Sequence, residues 1–304
     1  MSPTRITHLI AGTEWTGTAE RTSPVYNPAT GAQTGVLDLA SKALVDEVAA
    51  SAKAAWESEW QNASLTKRTQ VLFKFRELLN AKKEEIGALI TAEHGKVHSD
   101  AVGEVTRGLE VAEFACGIPH LLKGGFSENV STRVDVYSIR QSLGVVAVIS
   151  PFNFPAMVPL WFVPIAIACG NAVIIKPSEK DPSAVNAVAA LWKEAGLPDG
   201  VLHVVHGDKE AVDALLDSPD VRAVSFVGST PIAKYVYERG TANGKRVQAL
   251  GGAKNHMLVL PDADLDLAAD AAVNAGFGSA GERCMAISAL LAVEPVADDL
   301  ISKI

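Results

Sequence analysis

Apolar positions recur at three- and four-residue spacing in three long segments, roughly Ala43 to Trp56, Thr66 to Glu93 and Asp100 to Leu122. This period predicts three amphipathic helices. Ahead of them, residues 1–40 are short polar pieces broken by proline and glycine, such as SPVYNPATGAQTG, which predict a β-hairpin arm. After the helices, the alternating run STRVDVYSIRQSLG predicts an exposed β ribbon over residues 126–144, an edge of the kind that pairs with another subunit. From Gly144 the period changes. GVVAVIS, NAVIIKPS, VLHVVHG and VRAVSFVGS are short β-rich runs, separated by helical patterns that begin near Pro155, Pro182 and Lys209. Strand alternating with helix predicts an α/β fold, a parallel sheet with helices on both faces. Each run ends in small or polar residues, at the edge where open α/β sheets bind ligands. A further strand, HMLVL, and an Asp-rich helix start, PDADLDLAADAAVNAGF, follow.

Composition narrows the function classes. The 304 residues, 48% hydrophobic, suffice for one large or two ordinary domains. With 27 basic against 35 acidic residues, a net charge of −8 and no long run of one sign, the chain carries no stripe for nucleic acid or an anionic membrane. Small molecules are the expected partners. The start, MSPTRITHLIAG, lacks a signal-peptide core, and the most apolar run, Met157 to Gly170, is short and contains Pro159 and Pro164. A cytoplasmic protein is expected.

Three cysteines far apart suit neither a disulfide framework nor a zinc cluster. Cys116 and Cys169 lie in apolar helical runs and are expected to pack in the core. Cys284 differs, because it follows the glycine-bearing loop GSAGER with Arg283 beside it to favour thiolate. His94 and His98, spaced i and i+4 in HGKVH, have no third ligand nearby and are expected in a surface turn.

Three strand ends carry candidate chemistry. FVGSTPIAKYV sets Ser229 between a strand and a helix, a seat for a phosphate or a plain helix cap. IIKPSEK offers Lys176 and Glu179 as a cation and a carboxylate for ribose hydroxyls, or as a solvated turn. SPFNFPAMVPLW holds Asn153 as an oxyanion donor or a turn asparagine. A Cys284 thiolate could attack a carbonyl, with a nicotinamide accepting hydride from the adduct.

PFNFP, IKPSE, FVGST, LGGAKN and GERC, in this order and spacing, resemble the aldehyde dehydrogenase superfamily from about Trp15 onward. Within it the chain is most similar to the CoA-acylating methylmalonate-semialdehyde dehydrogenases, through GEVTRGLEVAEFACGIP, PFNFPAMVPLWFVPIAIACGN, FVGSTPIAKYVYERG and GERCMAIS. The resemblance implies a Rossmann-type NAD-binding domain over residues 1–250, including the arm and ribbon, and the first part of an α/β catalytic domain over 251–304. It implies NAD as cofactor, CoA as co-substrate, and a homotetramer when the chain is complete. The implied reaction is decarboxylating oxidation of malonate and methylmalonate semialdehydes to acetyl-CoA and propionyl-CoA. Matched by position, Cys284 is the implied nucleophile and Asn153 the oxyanion donor. Arg107 and Arg283 would hold the substrate carboxylate. Ser150, Phe152, Lys176, Glu179, Lys180, Ser229 and Gly251 would contact NAD.

Two departures from the family pattern bear on the chemistry. Where hydrolytic members carry a glutamate before LGG, this chain has Ala249, so thiolysis by CoA is favoured over hydrolysis. The family's Glu-x-Phe-Gly-Pro segment is missing after Cys284, which implies a chain cut short. The alternatives are a hydrolytic semialdehyde dehydrogenase, a cysteine acyltransferase or protease with His256 as base, and a non-catalytic NAD-binding fragment.

Overall fold

Strands covered on both faces need apolar side chains at nearly every position, and the runs 145–149 and 172–176 have them. In a computed structural model, which describes residues 3–304, these runs are the centre of the main sheet. The chain begins with β1 (Thr4–Ile6), β2 (Leu9–Ile10), β3 (Thr13–Glu14), β4 (Arg21–Asn27) and β5 (Ala32–Leu39). Helices α1 (Lys42–Ser58), α2 (Leu65–His94), α3 (His98–Cys116) and the one-turn α4 (Ile118–Leu121) follow, then a ribbon of β6 (Phe126–Ser131) and β7 (Val134–Tyr137). The alternating part runs β8 (Val145–Ile149), α5 (Met157–Ala168), β9 (Ala172–Lys176), α6 (Ser183–Glu194), β10 (Leu202–Val204), α7 (Lys209–Asp217), β11 (Val221–Val227), α8 (Thr230–Ala242) and β12 (Arg246–Leu250).

The main sheet has the order β12-β11-β8-β9-β10-β2-β3. Its five strands from β12 to β10 are parallel, whereas β2 and β3 join antiparallel at the edge. Alternation sorts the core into two layers. Val146, Val148, Val173 and Ile175 face one side with α2, α3, α5 and α6, and Val145, Ala147, Ile149 and Ile174 face the other with α1, α7 and α8. From β8 the chain steps outward through β9 and β10, then returns to place β11 on the opposite flank of β8. The sheet therefore has a switch point between β8 and β11, a crevice at its carboxyl edge.

Three expectations are revised. The arm holds the expected hairpin, with β4 and β5 antiparallel, but it is more than a hairpin: β1 joins that pair, and β2 and β3 extend the main sheet because Leu9 finds Val204 as partner. The third helix stops at Cys116 rather than Leu122, broken at Gly117, and α4 restarts it with Pro119 in its first turn. The ribbon's strands end at Tyr137, and every residue of both strands is exposed.

The packing divides the chain into a unit that ends at Leu250 and a second unit, Gly251–Ile304. The second unit holds the parallel pair β13 (Asn255–Val259) and β14 (Ile287–Ala292), with helices α9 (Leu265–Phe277) and α10 (Ala297–Lys303). Asp264 caps α9 by accepting from the Asp266 and Leu267 amides, and Val259, Ala268, Ala269 and Leu300 form a small core. Among the described residues, no helix is long and apolar enough to cross a membrane.

Candidate functional site

Helix α2 ends where Gly95 turns left-handed, with φ +89°, a conformation glycine adopts without penalty. The chain then drops Lys96 into the interior. Its ammonium group donates to Glu104 Oε2 at 2.7 Å and to the Asn153 carbonyl at 2.6 Å, and it lies 4.4 Å from the Phe154 ring centroid. Glu104 Oε1 accepts the Ala156 and Met157 amides at 2.9 and 3.1 Å. The loop from Ser150 to Ala156, which leaves β8 at the switch point, is thus tied to α2 and α3 from beneath. One turn after Glu104, Arg107 is exposed and donates Nε–H to Met157 Sδ at 3.4 Å.

Five of the residues expected at the cofactor lie at the carboxyl ends of β8 and β9. The Ser150 amide donates to the Lys176 carbonyl at 3.2 Å, and the buried Ser150 hydroxyl has no partner. Lys176, with a side chain only 7% exposed, donates to the Gly207 carbonyl at 3.1 Å and lies 3.6 Å from Glu179. Burial pulls the Lys176 ammonium below its usual range, and Glu179 acts against that shift. Lys180 reaches back over the Phe152 ring at 4.3 Å. On the other flank of the switch point, Ser229 takes the N-cap position of α8 with extended backbone, and its hydroxyl makes no cap hydrogen bond. The Gly228 amide donates to the Leu250 carbonyl at 3.1 Å, which closes β11 against β12.

Behind this edge lies a buried acidic group that sequence reasoning missed. Asp181 is 1% exposed, and burial, with Glu93 and Glu104 adding, pushes its carboxyl well above the carboxylate range. Glu93 is itself raised by burial while it accepts from the Ser183 amide and hydroxyl at 3.0 and 2.6 Å. Lys96 and Glu104 were missed too, although one signal was present: Glu104 falls on the same apolar stripe of α3 as Ala101, Val105 and Gly108. His94 departs from its expected surface turn. It is half-buried, 6.0 Å from the Phe152 ring, and burial lowers its pKa to about 4. His98 opens α3 and contacts the Glu84 carbonyl at 3.2 Å. Among the described residues, no group of three His, Cys, Asp or Glu is placed to hold a metal ion.

In the second unit, Cys284 is half-buried and follows an unusual turn. Ser279 and Ala280 both adopt left-handed backbone, with φ 54° and 55°, a strained conformation outside glycine and asparagine. Asn255 Nδ2 then donates to the carbonyls of Cys284 and Ala286 at 2.9 and 3.0 Å, fixing the residues around the thiol. The Arg283 guanidinium lies against Gly278, where a Cβ atom would come within 2.8 Å of it. Gly251, exposed, begins this unit. His256 Nδ1 is taken up by the Lys254 carbonyl at 2.9 Å.

A cavity of about 630 Å³, lined by Arg68, Arg140, Asn171 and Arg246 among others, opens at the amino ends of the strands. Ligands of open α/β sheets bind at the carboxyl ends, where Ser150, Lys176 and Ser229 lie, so geometry favours that edge over this cavity.

The family model for the aldehyde dehydrogenase family matches residues 15–304. The chain belongs to that family. It is 54% identical over 298 residues to malonate-semialdehyde dehydrogenase of Pseudomonas aeruginosa, a match covering 98% of this chain and 60% of that protein. Its fold superposes with a TM-score of 0.96 on a crystal structure of methylmalonate-semialdehyde dehydrogenase from Oceanimonas doudoroffii, at 55% identity over 99% of this chain and 61% of that one. A putative methylmalonate-semialdehyde dehydrogenase from Sinorhizobium meliloti, solved in complex with NAD, gives a TM-score of 0.97 at 53% identity, covering 100% of this chain and 62% of that one. The aldehyde dehydrogenase-like fold, with its parallel sheet and two helical layers, is thereby shown, and the chain spans about 60% of the length of these relatives.

Proposed function

We propose that this chain carries the dinucleotide-binding domain and the thiol-bearing part of the catalytic domain of an NAD-dependent, CoA-acylating semialdehyde dehydrogenase. The observation that carries the reading is the grouping of Ser150, Phe152, Lys176, Glu179 and Lys180 beside the switch point, with Ser229 on its other flank. These residues fit a dinucleotide. The unpartnered Ser150 hydroxyl offers a hydrogen bond, the Lys176–Glu179 pair suits ribose hydroxyls, and the start of α8 suits a pyrophosphate. Glu179, 43% exposed, would repel a 2′-phosphate and so favours NAD over NADP. When bound, NAD supplies the hydride acceptor.

In this reading Cys284 adds as thiolate to the aldehyde carbon, and Asn153 stabilises the oxyanion, a contact worth about 3 kcal/mol. Oxidation leaves a Cys284 thioester whose carbonyl lies β to the substrate carboxylate. The bond to that carboxylate then breaks, and its electron pair passes into the thioester carbonyl as CO2 leaves. Protonation at carbon follows, and a CoA thiol takes the acyl group from Cys284. Arg107 and Arg283 hold the carboxylate through charge-assisted hydrogen bonds. Support for malonate and methylmalonate semialdehydes as substrates comes from the relatives' names and from these arginines. Ala249, in register beside Phe226 on β11, offers no base for water. A cytoplasmic homotetramer remains part of the proposal.

The test follows NADH on mixing protein, NAD and methylmalonate semialdehyde. A stoichiometric burst without CoA, then a slow phase that CoA accelerates many-fold, is expected, with Ala249→Glu raising the CoA-independent rate. Rapid steady turnover to free propionate without CoA would leave the hydrolytic reading standing. A protein that binds NAD but makes no NADH would be the non-catalytic fragment.

A further inference from the structure

The most deeply buried ion pair described in the first unit makes contacts that all run to one loop. The Lys96 and Glu104 side chains are 1% and 0% exposed, so neither reaches solvent or a ligand. Lys96 spends its donors on Glu104 and on the Asn153 carbonyl, and it sits over Phe154. Glu104 gives its second oxygen to the amides of Ala156 and Met157. Ala156, the N-cap of α5, has no side chain that could do this, so the cap comes from α3 instead. An ion pair removed from water is often no more stabilising than an apolar pair of the same volume, so its presence here is weak evidence for a role in stability. What it does supply is direction: two charges fix where the backbone of residues 153–157 lies.

We propose that Lys96 and Glu104 are positioning residues that set the Asn153 loop for its role at the developing oxyanion. The proposal rests on the dehydrogenase reading of Asn153 given above. Glu104 and Arg107 lie one turn apart on α3 and both contact the start of α5, at Met157 in each case. The same helix that aims the oxyanion loop therefore also carries a proposed carboxylate contact, made by the separate Arg107 side chain.

The test compares Lys96→Met, Glu104→Gln and the double variant Lys96→Met/Glu104→Leu in the full chain. Amide exchange, thermal denaturation and NADH formation from methylmalonate semialdehyde are measured on each. Both single variants are expected to exchange at residues 153–157 about tenfold faster or more, with strand β8 unaffected. Their kcat falls about tenfold to a hundredfold with KM little changed, since misplacement of a catalytic group by about 1 Å is enough for that. The double variant, which removes both buried charges, regains thermal stability but not exchange protection or kcat. A double variant that regains all three together shows a merely structural pair and overturns the proposal, even if the single variants fail to fold. If the parent chain makes no NADH, the dehydrogenase reading fails on the parent itself. The exchange arm then decides the positioning alone, and unchanged protection at 153–157 in the variants overturns it.

Discussion

Cys116, Cys169 and Cys284 carry one functional group in three settings. Cys116 is buried and donates its thiol to the Ala112 carbonyl at 3.3 Å, and burial pushes it up. Cys169 is half-buried, and burial raises its thiol as well, against the opposing charges of Arg68 and Arg140. Cys284, also half-buried, instead follows strained backbone and has its own carbonyl anchored by Asn255, an arrangement that fixes the backbone under the thiol. An alkylating agent at neutral pH is therefore expected to label Cys284 at least about tenfold faster than the other two in folded protein. Peptide mass spectrometry reads the order directly, and equal rates at all three would remove the case for an activated thiol. At this scale Lys176, Glu179, Asn153 and Cys284 were visible in short motifs because each motif lies within one loop. Lys96 and Glu104 were not, since only the turn at Gly95 brings the lysine under the loop.

The layer beneath β8 and β9 depends on how α2 meets α6. Phe75 and Trp192, both fully buried, stack with centroids 3.6 Å apart and planes 9° from parallel. Phe75→Ala removes that ring from a packed interior and is expected to cost about 3–5 kcal/mol. Urea denaturation measures it, and a loss below about 1 kcal/mol would mean the layer repacks freely. The helical period located α1 and α2 to within two residues, because each long face is apolar at regular spacing. It overran the end of α3, where an apolar stripe continues past a glycine and a proline that stop the backbone. The short β2 and β3 could not be placed from their own residues, since a two-residue strand exists only through its neighbour.

Four histidines are held neutral inside the first unit, and together they shape the response to acid. Burial lowers His8, His94 and His203 to about 4 and His206 to about 3. A depressed folded pKa means the unfolded chain takes up protons first, so this stability is complete above about 6.5 and drains away as pH falls toward 4. Glu93 and Asp181, raised by burial, work the other way and give stability that is lost as pH rises. The histidines outnumber them, so on balance unfolding takes up protons through this range. Melting temperature is thus expected to fall between pH ~6.5 and ~4.5. His203→Gln, which can keep both contacts to Ala11 and Gly200, should flatten the slope. A melting temperature constant across that range would show that the histidines are not held neutral.

The order of strands and helices was set by local pattern, and short motifs sufficed to single out Cys284, Asn153 and the Lys176–Glu179 pair as candidates. Periodicity and turn chemistry act over a few residues, and 145–149, 172–176 and 221–227 carry them without help. Tertiary structure alone decided that the arm would donate β2 and β3 to the main sheet, since that pairing joins Leu9 to Val204 across most of the chain. It alone decided which charges are buried. Asp181 and Glu104 are ordinary acids in sequence, and only the layers closing over them push one carboxyl above its usual range and make the other the cap of α5.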